Sequence, residues 1–205
     1  NVQTLSFKQV QLHTVDGQAL LDIDHKVLND DYRMTVIKGA SGIGKSTLFK
    51  MLAGLHLHFT GEVALPTGKL MFLPQRAYFP VGGLLSAVAY PQIATDSDEP
   101  RLVHAMGLVG FHGQHIQTML HACDFSKLSG GEQQRLMIAR VIFNQPDWVF
   151  LDESCNALDE ETEQKMFALL QEQLPNTRVV LISHTNNTEA APEREEWQLS
   201  HTKFA

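Results

Sequence analysis

A glycine-rich loop between an apolar strand and a helix is the feature that most restricts how this chain can fold. The loop, residues 39–46, reads GASGIGKS and matches the pattern G-x-x-x-x-G-K-[ST]. Residues 32–38 before it have strand character, and the helical stretch after it ends at Gly54, a residue suited to a left-handed cap. Strand, glycine loop and helix in this order predict an α/β fold with a P-loop core.

The composition of this loop is suited to binding a polyphosphate. Gly39, Gly42 and Gly44 allow main-chain N–H groups to approach phosphate oxygens, and the following helix directs its positive end at them. Lys45 is predicted to neutralise the β and γ oxygens, and the Ser46 hydroxyl to ligate Mg²⁺. The loop therefore predicts a site for a nucleoside triphosphate with Mg²⁺.

A pair of carboxylates, Asp152 and Glu153, ends an apolar strand about a hundred residues further on. We expect Asp152 to hold Mg²⁺ and Glu153 to polarise the attacking water as a general base. An acidic pair after a strand can also simply start a helix. The glycine loop upstream favours the catalytic interpretation.

A second glycine motif follows at Ser129-Gly130-Gly131-Glu132. Ser-x-x-Glu is a capping box and predicts the start of a helix. Two glycines in a first turn weaken a helix, so a cap alone does not explain them. Bare N–H groups at the positive end of a helix form an anion site, which this motif predicts.

The remaining pattern supports one α/β domain over residues 1–205. Alternating apolar runs predict a mostly parallel sheet, and Asp16-Gly17 predicts an antiparallel hairpin at one edge. Strand character is absent from about 76 to 146, which we interpret as an α-helical subdomain inserted in the catalytic core. The predicted segments are strands at 5–13, 19–27, 32–38, 69–73, 148–151 and 178–183, and helices at 46–53, 84–89, 98–106 and 129–144.

Bulk composition excludes some classes of protein. A net charge of −7 does not fit a surface that coats nucleic acid. Two cysteines, Cys123 and Cys155, are too few for a disulfide framework and fit a reducing compartment. No run reaches the roughly 18 apolar residues of a membrane span. Because the chain starts at Asn1, we expect a domain cut from a longer protein or one that has lost a leader or tag.

Together these motifs resemble the ATP-binding cassette (ABC) family from Leu5 to His184. Residues 39–47 resemble Walker A, Gln75 the Q-loop, 128–135 the signature, 149–153 Walker B, 154–159 the D-loop, and His184 the switch histidine. The nucleotide-binding residues that the resemblance implies are Gly39, Ala40, Ser41, Gly42, Ile43, Gly44, Lys45, Ser46, Thr47, Ser129, Gly130 and Gly131.

The resemblance further implies a Mg²⁺-dependent ATPase that powers a transporter. Its catalytic residues would be Glu153, His184 and Gln75, and its metal ligands Ser46, Gln75 and Asp152. Two such domains would form a homodimer around two ATP molecules, each held by one Walker A and the other domain's signature. The expected partner is a transmembrane domain, upstream in the same polypeptide, with no nucleic acid. The expected location is the cytoplasmic face of a membrane, the inner membrane if the protein is bacterial.

A narrower likeness lies in residues 72–80 and in Tyr90-Pro91. They are similar to half-transporters of the peroxisomal fatty-acyl type and their bacterial relatives.

Three positions depart from the family pattern. His13-Thr14-Val15 lacks the ring expected to stack on adenine, for which Phe7 is an alternative. Cys155-Asn156 replaces the usual Thr-Ser, and Glu132 stands where many members have Gln.

Two other functions remain open at this point. The first is a soluble ABC-type ATPase of DNA repair or translation, although the chain shows no coiled coil or basic linker. The second is a nucleotide-gated module that does not hydrolyse ATP, which the pair Glu153 and His184 argues against.

Overall fold

A computed structural model describes residues 4–28, 32–121, 124–152, 160–182 and 194–200. Within these ranges the chain forms two compact units. The core unit contains residues up to 72, 147–152 and 178–200, and the helical unit contains residues 73–146 and 160–177.

The elements alternate between strands and helices along much of the chain. The strands are β1 (Leu5–His13), β2 (Ala19–Leu28), β3 (Met34–Lys38), β4 (Phe59–Ala64), β5 (Leu70–Leu73), β6 (Trp148–Asp152), β7 (Arg178–Ile182) and β8 (Arg194–Gln198). The α-helices are α1 (Lys45–Leu52), α2 (Leu84–Ala89), α3 (Glu99–Leu108), α4 (Gly113–His121), α5 (Gly130–Asn144) and α6 (Glu160–Gln173).

One sheet of the core unit is antiparallel, with strand order β2-β1-β4. β1 pairs with β2 on either side of the Asp16-Gly17 turn, which confirms the predicted hairpin. Along β1 the side chains of Leu5, Phe7 and Val10 are fully buried. This apolar face packs into the core of the unit.

The other sheet has the order β5-β6-β7-β3-β8. β7 pairs in parallel with both β3 and β6, and all five residues of β6 are buried, as expected for a strand covered on both faces. The predicted α/β fold with a mostly parallel sheet and an antiparallel edge is confirmed. Ile182 of β7 pairs with both Ile37 of β3 and Asp152 of β6. This register brings the carboxyl ends of β3 and β6 to the same edge of the sheet.

Helix α1 follows the glycine loop and packs on this sheet. Leu48, Phe49 and Leu52 are buried, and the ring of Phe49 lies edge-on to Phe72 at 5.8 Å. Phe72 in turn stacks on Phe150 of β6 at 4.6 Å. Burial of each such side chain contributes about 1.5–3 kcal/mol, so α1 is held firmly at the end of the loop.

The helical unit is organised around α5. Residues 136–144 of α5 are all buried, and α2, α3 and α6 pack against this helix. Thr177, which follows α6, donates a 2.6 Å hydrogen bond from its hydroxyl to the carbonyl of Pro146. No helix in the described ranges is long and apolar enough to cross a membrane.

Candidate nucleotide-binding site

The glycine loop lies at the carboxyl end of β3, in a conformation that depends on its glycines. Gly42 has φ 82° and Gly44 has φ 104°, both in the left-handed region that favours glycine. A Cβ on Gly39 would lie 3.0 Å from Cγ2 of Ile43, closer than most contacts allow. Gly44 caps α1, and its carbonyl accepts a 2.8 Å hydrogen bond from Leu48 N–H. The loop thus exposes main chain where side chains would obstruct a ligand.

Lys45 is folded back over the loop. Its side chain is 2% exposed, and Nζ donates hydrogen bonds to the carbonyls of Gly39 at 2.7 Å and Ala40 at 2.9 Å. Burial lowers the pKa of Lys45, and the negative charge of Asp152 opposes this shift. An ammonium group has three donors, so one N–H remains for a phosphate oxygen.

A cavity of about 180 Å³ opens beside the loop, lined by Leu20, Gly42, Gly44, Lys45, Ser46 and Thr47. Leu20 belongs to β2, and a Cβ on Gly44 would approach the Cβ of Leu20 at 3.5 Å. Sequence reasoning missed Leu20, since no motif marks it and only the fold brings β2 beside the loop. The cavity wall therefore combines the loop with an apolar side chain from the antiparallel sheet.

Oxygen donors suited to Mg²⁺ lie at this edge of the core unit. Asp152 ends β6 and is 6% exposed, and Ser46, at the start of α1, is exposed. A hydroxyl and a carboxylate are hard oxygen ligands of the kind that Mg²⁺ prefers when it also binds substrate phosphates. The predicted residues Glu153 and His184, and the D-loop residues 154–159, lie outside the described residues.

The second glycine motif lies in the helical unit, at the start of α5. The predicted capping box is confirmed: Glu132 N–H donates to Ser129 Oγ at 3.3 Å, and Ser129 N–H donates to Glu132 Oε2 at 2.9 Å. Ser129 and Gly130 are exposed. The start of α5 therefore presents its main-chain N–H groups to solvent, where an anion can reach them.

Gln75 is exposed and belongs to the same unit. The segment that follows it is fastened to α5 by Arg140, which is 4% exposed. Its guanidinium donates to the carbonyls of Tyr78 at 2.8 Å and Ala87 at 2.9 Å. Burial lowers the pKa of Arg140 to about 10. Sequence reasoning missed Arg140 because its two carbonyl partners lie more than fifty residues away along the chain.

The turn expected to hold a base-stacking ring, which follows His13, contains no Phe, Tyr or Trp. Thr14 makes a compact turn, in which its carbonyl accepts from Gly17 N–H at 3.0 Å and its hydroxyl oxygen accepts from Gln18 N–H at 3.0 Å. Phe7, the alternative ring, is fully buried and packs against Trp197 at 5.3 Å between centroids. The suggestion that Phe7 stacks on adenine is therefore wrong, because its ring belongs to the core.

Comparisons with known proteins agree with this geometry. The profile of the family described as "ABC transporter" matches residues 29–156. An uncharacterized ABC transporter ATP-binding protein of Haemophilus influenzae is 39% identical over 150 residues, which are 73% of this chain and 25% of that protein. The human lysosomal cobalamin transporter ABCD4 is 31% identical over 179 residues, covering 80% of this chain and 27% of that protein.

Solved structures show the same fold. A bacterial Atm1-family ABC exporter with ATP bound superposes with a TM-score of 0.78 at 23% identity, covering 98% of this chain and 37% of that one. A putative ABC transporter ATP-binding protein from Pyrococcus furiosus gives a TM-score of 0.72 at 21% identity, with 94% and 96% covered.

Fold and loop together define an ATP-binding domain of the P-loop type. The chain belongs to the ABC transporter family, of which it is an ATP-binding domain, and this membership implies ATP hydrolysis. The narrower likeness is confirmed at the level of the D family, since the mouse lysosomal cobalamin transporter ABCD4 and the ABC transporter D family member 2 of Dictyostelium discoideum are among the relatives. The chain spans about a quarter of the length of the Haemophilus influenzae relatives that it matches.

Proposed function

We propose that this domain drives a membrane transporter by Mg²⁺-dependent ATP hydrolysis, in sites that two copies of the domain share. The observation that carries this proposal is the exposed, capped start of α5, with Gly130 next to Ser129. It is a second anion site on a chain that already has a phosphate loop, and the two belong to different units.

Within one copy, the loop residues 39–47 bind the triphosphate through main-chain N–H groups. Lys45 keeps one donor for the β and γ oxygens. Ser46, Asp152 and Gln75 are proposed as the residues that hold Mg²⁺, which when bound neutralises charge developing on the phosphates. Glu153 accepts a proton from the attacking water, and His184 stabilises the γ-phosphate.

The second copy completes each site. Ser129, Gly130 and Gly131 of one copy bind the γ-phosphate held by the loop of its partner. A two-fold axis makes this contact reciprocal, so both sites form together. The homodimer is therefore assembled by ATP and released after hydrolysis.

The proposed partner is a transmembrane domain, upstream in the same polypeptide, with the ATPase domain on the cytoplasmic face of the membrane. The segment after Gln75 supports such a partner because it exposes large apolar side chains, including Tyr78 at 56%, Val81 at 105% and Ile93 at 97%. In a transporter, closure sensed at Gln75 would pass through this segment to the membrane domain.

The shared site is tested by dilution and by mixing variants. Wild-type specific activity should rise with protein concentration and follow the appearance of dimer in light scattering. Ser129→Arg should abolish hydrolysis but leave ATP binding intact, and Lys45→Ala should also be inactive. Mixed together, these two variants form one site from two wild-type halves, so part of the activity should return.

Two results would contradict the shared site. One is a specific activity that stays constant far below the concentration at which dimer forms. The other is a mixture of Ser129→Arg and Lys45→Ala that stays as inactive as either variant alone, although light scattering shows that mixed dimers form.

Glu153→Gln tests the catalytic base. The amide keeps the shape of the side chain but loses its basicity, so turnover should be lost while ATP stays bound. Hydrolysis near the wild-type rate would exclude Glu153 as the base.

A further inference from the structure

The carboxylate of Glu132 accepts a hydrogen bond from the Ser129 hydroxyl, the group that the shared site needs for the partner's phosphate. Ser129 Oγ donates a 2.8 Å hydrogen bond to Glu132 Oε2, and this same oxygen accepts from Ser129 N–H. A serine hydroxyl has one proton to donate, and here it is given to a carboxylate. Ser129 can donate to a phosphate oxygen only after this bond is exchanged.

The surroundings keep Glu132 negatively charged. Its hydrogen bonds from the Ser129 side chain and main chain hold the pKa of Glu132 below its usual range, and the charges of Arg135 and His115 act in the same direction. Arg135 is itself engaged, with its guanidinium 5.1 Å from the ring of Phe111. A carboxylate therefore lies at the same positive helix end to which a phosphate would bind, and the two anions repel one another.

We propose that Glu132 opposes closure of the shared site by holding Ser129 in the contact that the partner's γ-phosphate must take over. The carboxylate thereby raises the protein concentration at which ATP assembles the pair. This inference rests on the proposed function, in which Ser129 acts on the nucleotide of a second copy.

The charge of Glu132 is separable from its role as a cap. In Glu132→Gln the side-chain carbonyl can still accept from Ser129, so the start of α5 is retained while the negative charge is removed. Glu132→Asp keeps the charge. Glu172→Gln makes the same change in charge at an exposed position on α6 and serves as the matched control.

The experiment measures ATPase specific activity against protein concentration, together with Mg-ATP affinity at dilutions where the protein is monomeric. For Glu132→Gln the concentration of half-maximal specific activity should fall roughly fivefold, the factor expected for removing one nearby like charge at a solvated site. Glu172→Gln and Glu132→Asp should leave it unchanged, and the monomer affinity should be the same in all variants. Circular dichroism checks that each variant is folded.

The outcomes separate this inference from the proposed function. Wild-type activity that depends on concentration, with no decrease in Glu132→Gln, overturns the role of Glu132 alone. An equal decrease in Glu132→Gln and Glu132→Asp also overturns it, because the effect would then come from the cap and not from the charge. Wild-type activity independent of concentration overturns both.

Discussion

Two buried cations, one in each unit, make the same kind of hydrogen bond and yet have different surroundings. Lys45 donates to the carbonyls of Gly39 and Ala40, and Arg140 donates to those of Tyr78 and Ala87. Burial lowers the pKa of both side chains. If only burial, hydrogen bonds and pKa were considered, Lys45 and Arg140 would be equally good candidates for a functional residue.

Their surroundings distinguish them. Lys45 borders a cavity and is influenced by the carboxylate of Asp152. Arg140 faces the rings of Phe79 at 5.4 Å and Tyr90 at 5.5 Å, so its faces are covered. A buried cation beside open space can exchange a partner for a ligand, whereas one enclosed by aromatic rings organises the protein around it.

The largest expected effect comes from Arg140. Arg140→Ala removes the donor to the carbonyl of fully buried Ala87 and to that of half-exposed Tyr78, together with the contacts to two aromatic rings, so the free energy of unfolding should fall by about 3–5 kcal/mol. Urea unfolding followed by circular dichroism measures this. Arg101→Ala is the control, since Arg101 is half exposed although it donates to the carbonyl of Phe143. If both variants lose the same stability, Arg140 is not the anchor described here.

For Lys45 we expect a substitution to weaken ATP binding more than it lowers the free energy of unfolding. Lys45→Ala should weaken Mg-ATP binding by about 2–3 kcal/mol because a charged donor to the phosphates is lost. Its free energy of unfolding should change by less than about 1 kcal/mol, because Gly39 is only partly buried and Ala40 is exposed, so water can replace the lost donor at their carbonyls. Calorimetry with ATP measures the first quantity. Lys50→Ala, an exposed change on the same helix, should alter neither; unchanged ATP affinity in Lys45→Ala would remove this lysine from the site.

The smallest expected effect concerns recognition of the adenine base. The turn at Thr14 in the core unit carries no Phe, Tyr or Trp ring that could stack on it. Without a stacking ring, ATP and GTP should differ in affinity by less than about 1 kcal/mol in competition binding. Thr14→Tyr should increase ATP affinity by about that amount if this turn faces adenine. A strong preference for ATP in the wild type would mean that some other side chain reads the base.

Local patterns in the sequence were enough for the parts of the site that are contiguous in the chain. The glycine loop, the strand ending in Asp152 and the Ser129–Glu132 cap each depend on neighbours within a few residues. The same holds for the hairpin around Asp16-Gly17.

Features that depend on distant packing could not be predicted in this way. Leu20 becomes a wall of the cavity only because the antiparallel sheet packs beside the loop. Helix α4 was not predicted, because its buried residues Ile116 and Met119 are too few to produce a clear helical period. Strand β8 was missed because its charged residues, Glu195 among them, form ion pairs with distant lysines such as Lys26.

Strand β7 contributes none of the candidate ligand residues. It nevertheless sets the distance between the glycine loop and Asp152, which lie at the ends of its two neighbouring strands. Ile182 pairs with Ile37 on one side and with Asp152 on the other, so the spacing between the loop and the carboxylate is transmitted through a strand of five residues. A deletion of one residue in β7 would shift the register against both neighbours and turn its side chains to the opposite face. This deletion would disable nucleotide binding although every nucleotide-binding motif in the sequence stays unchanged. A comparison of motifs alone would therefore not reveal the defect.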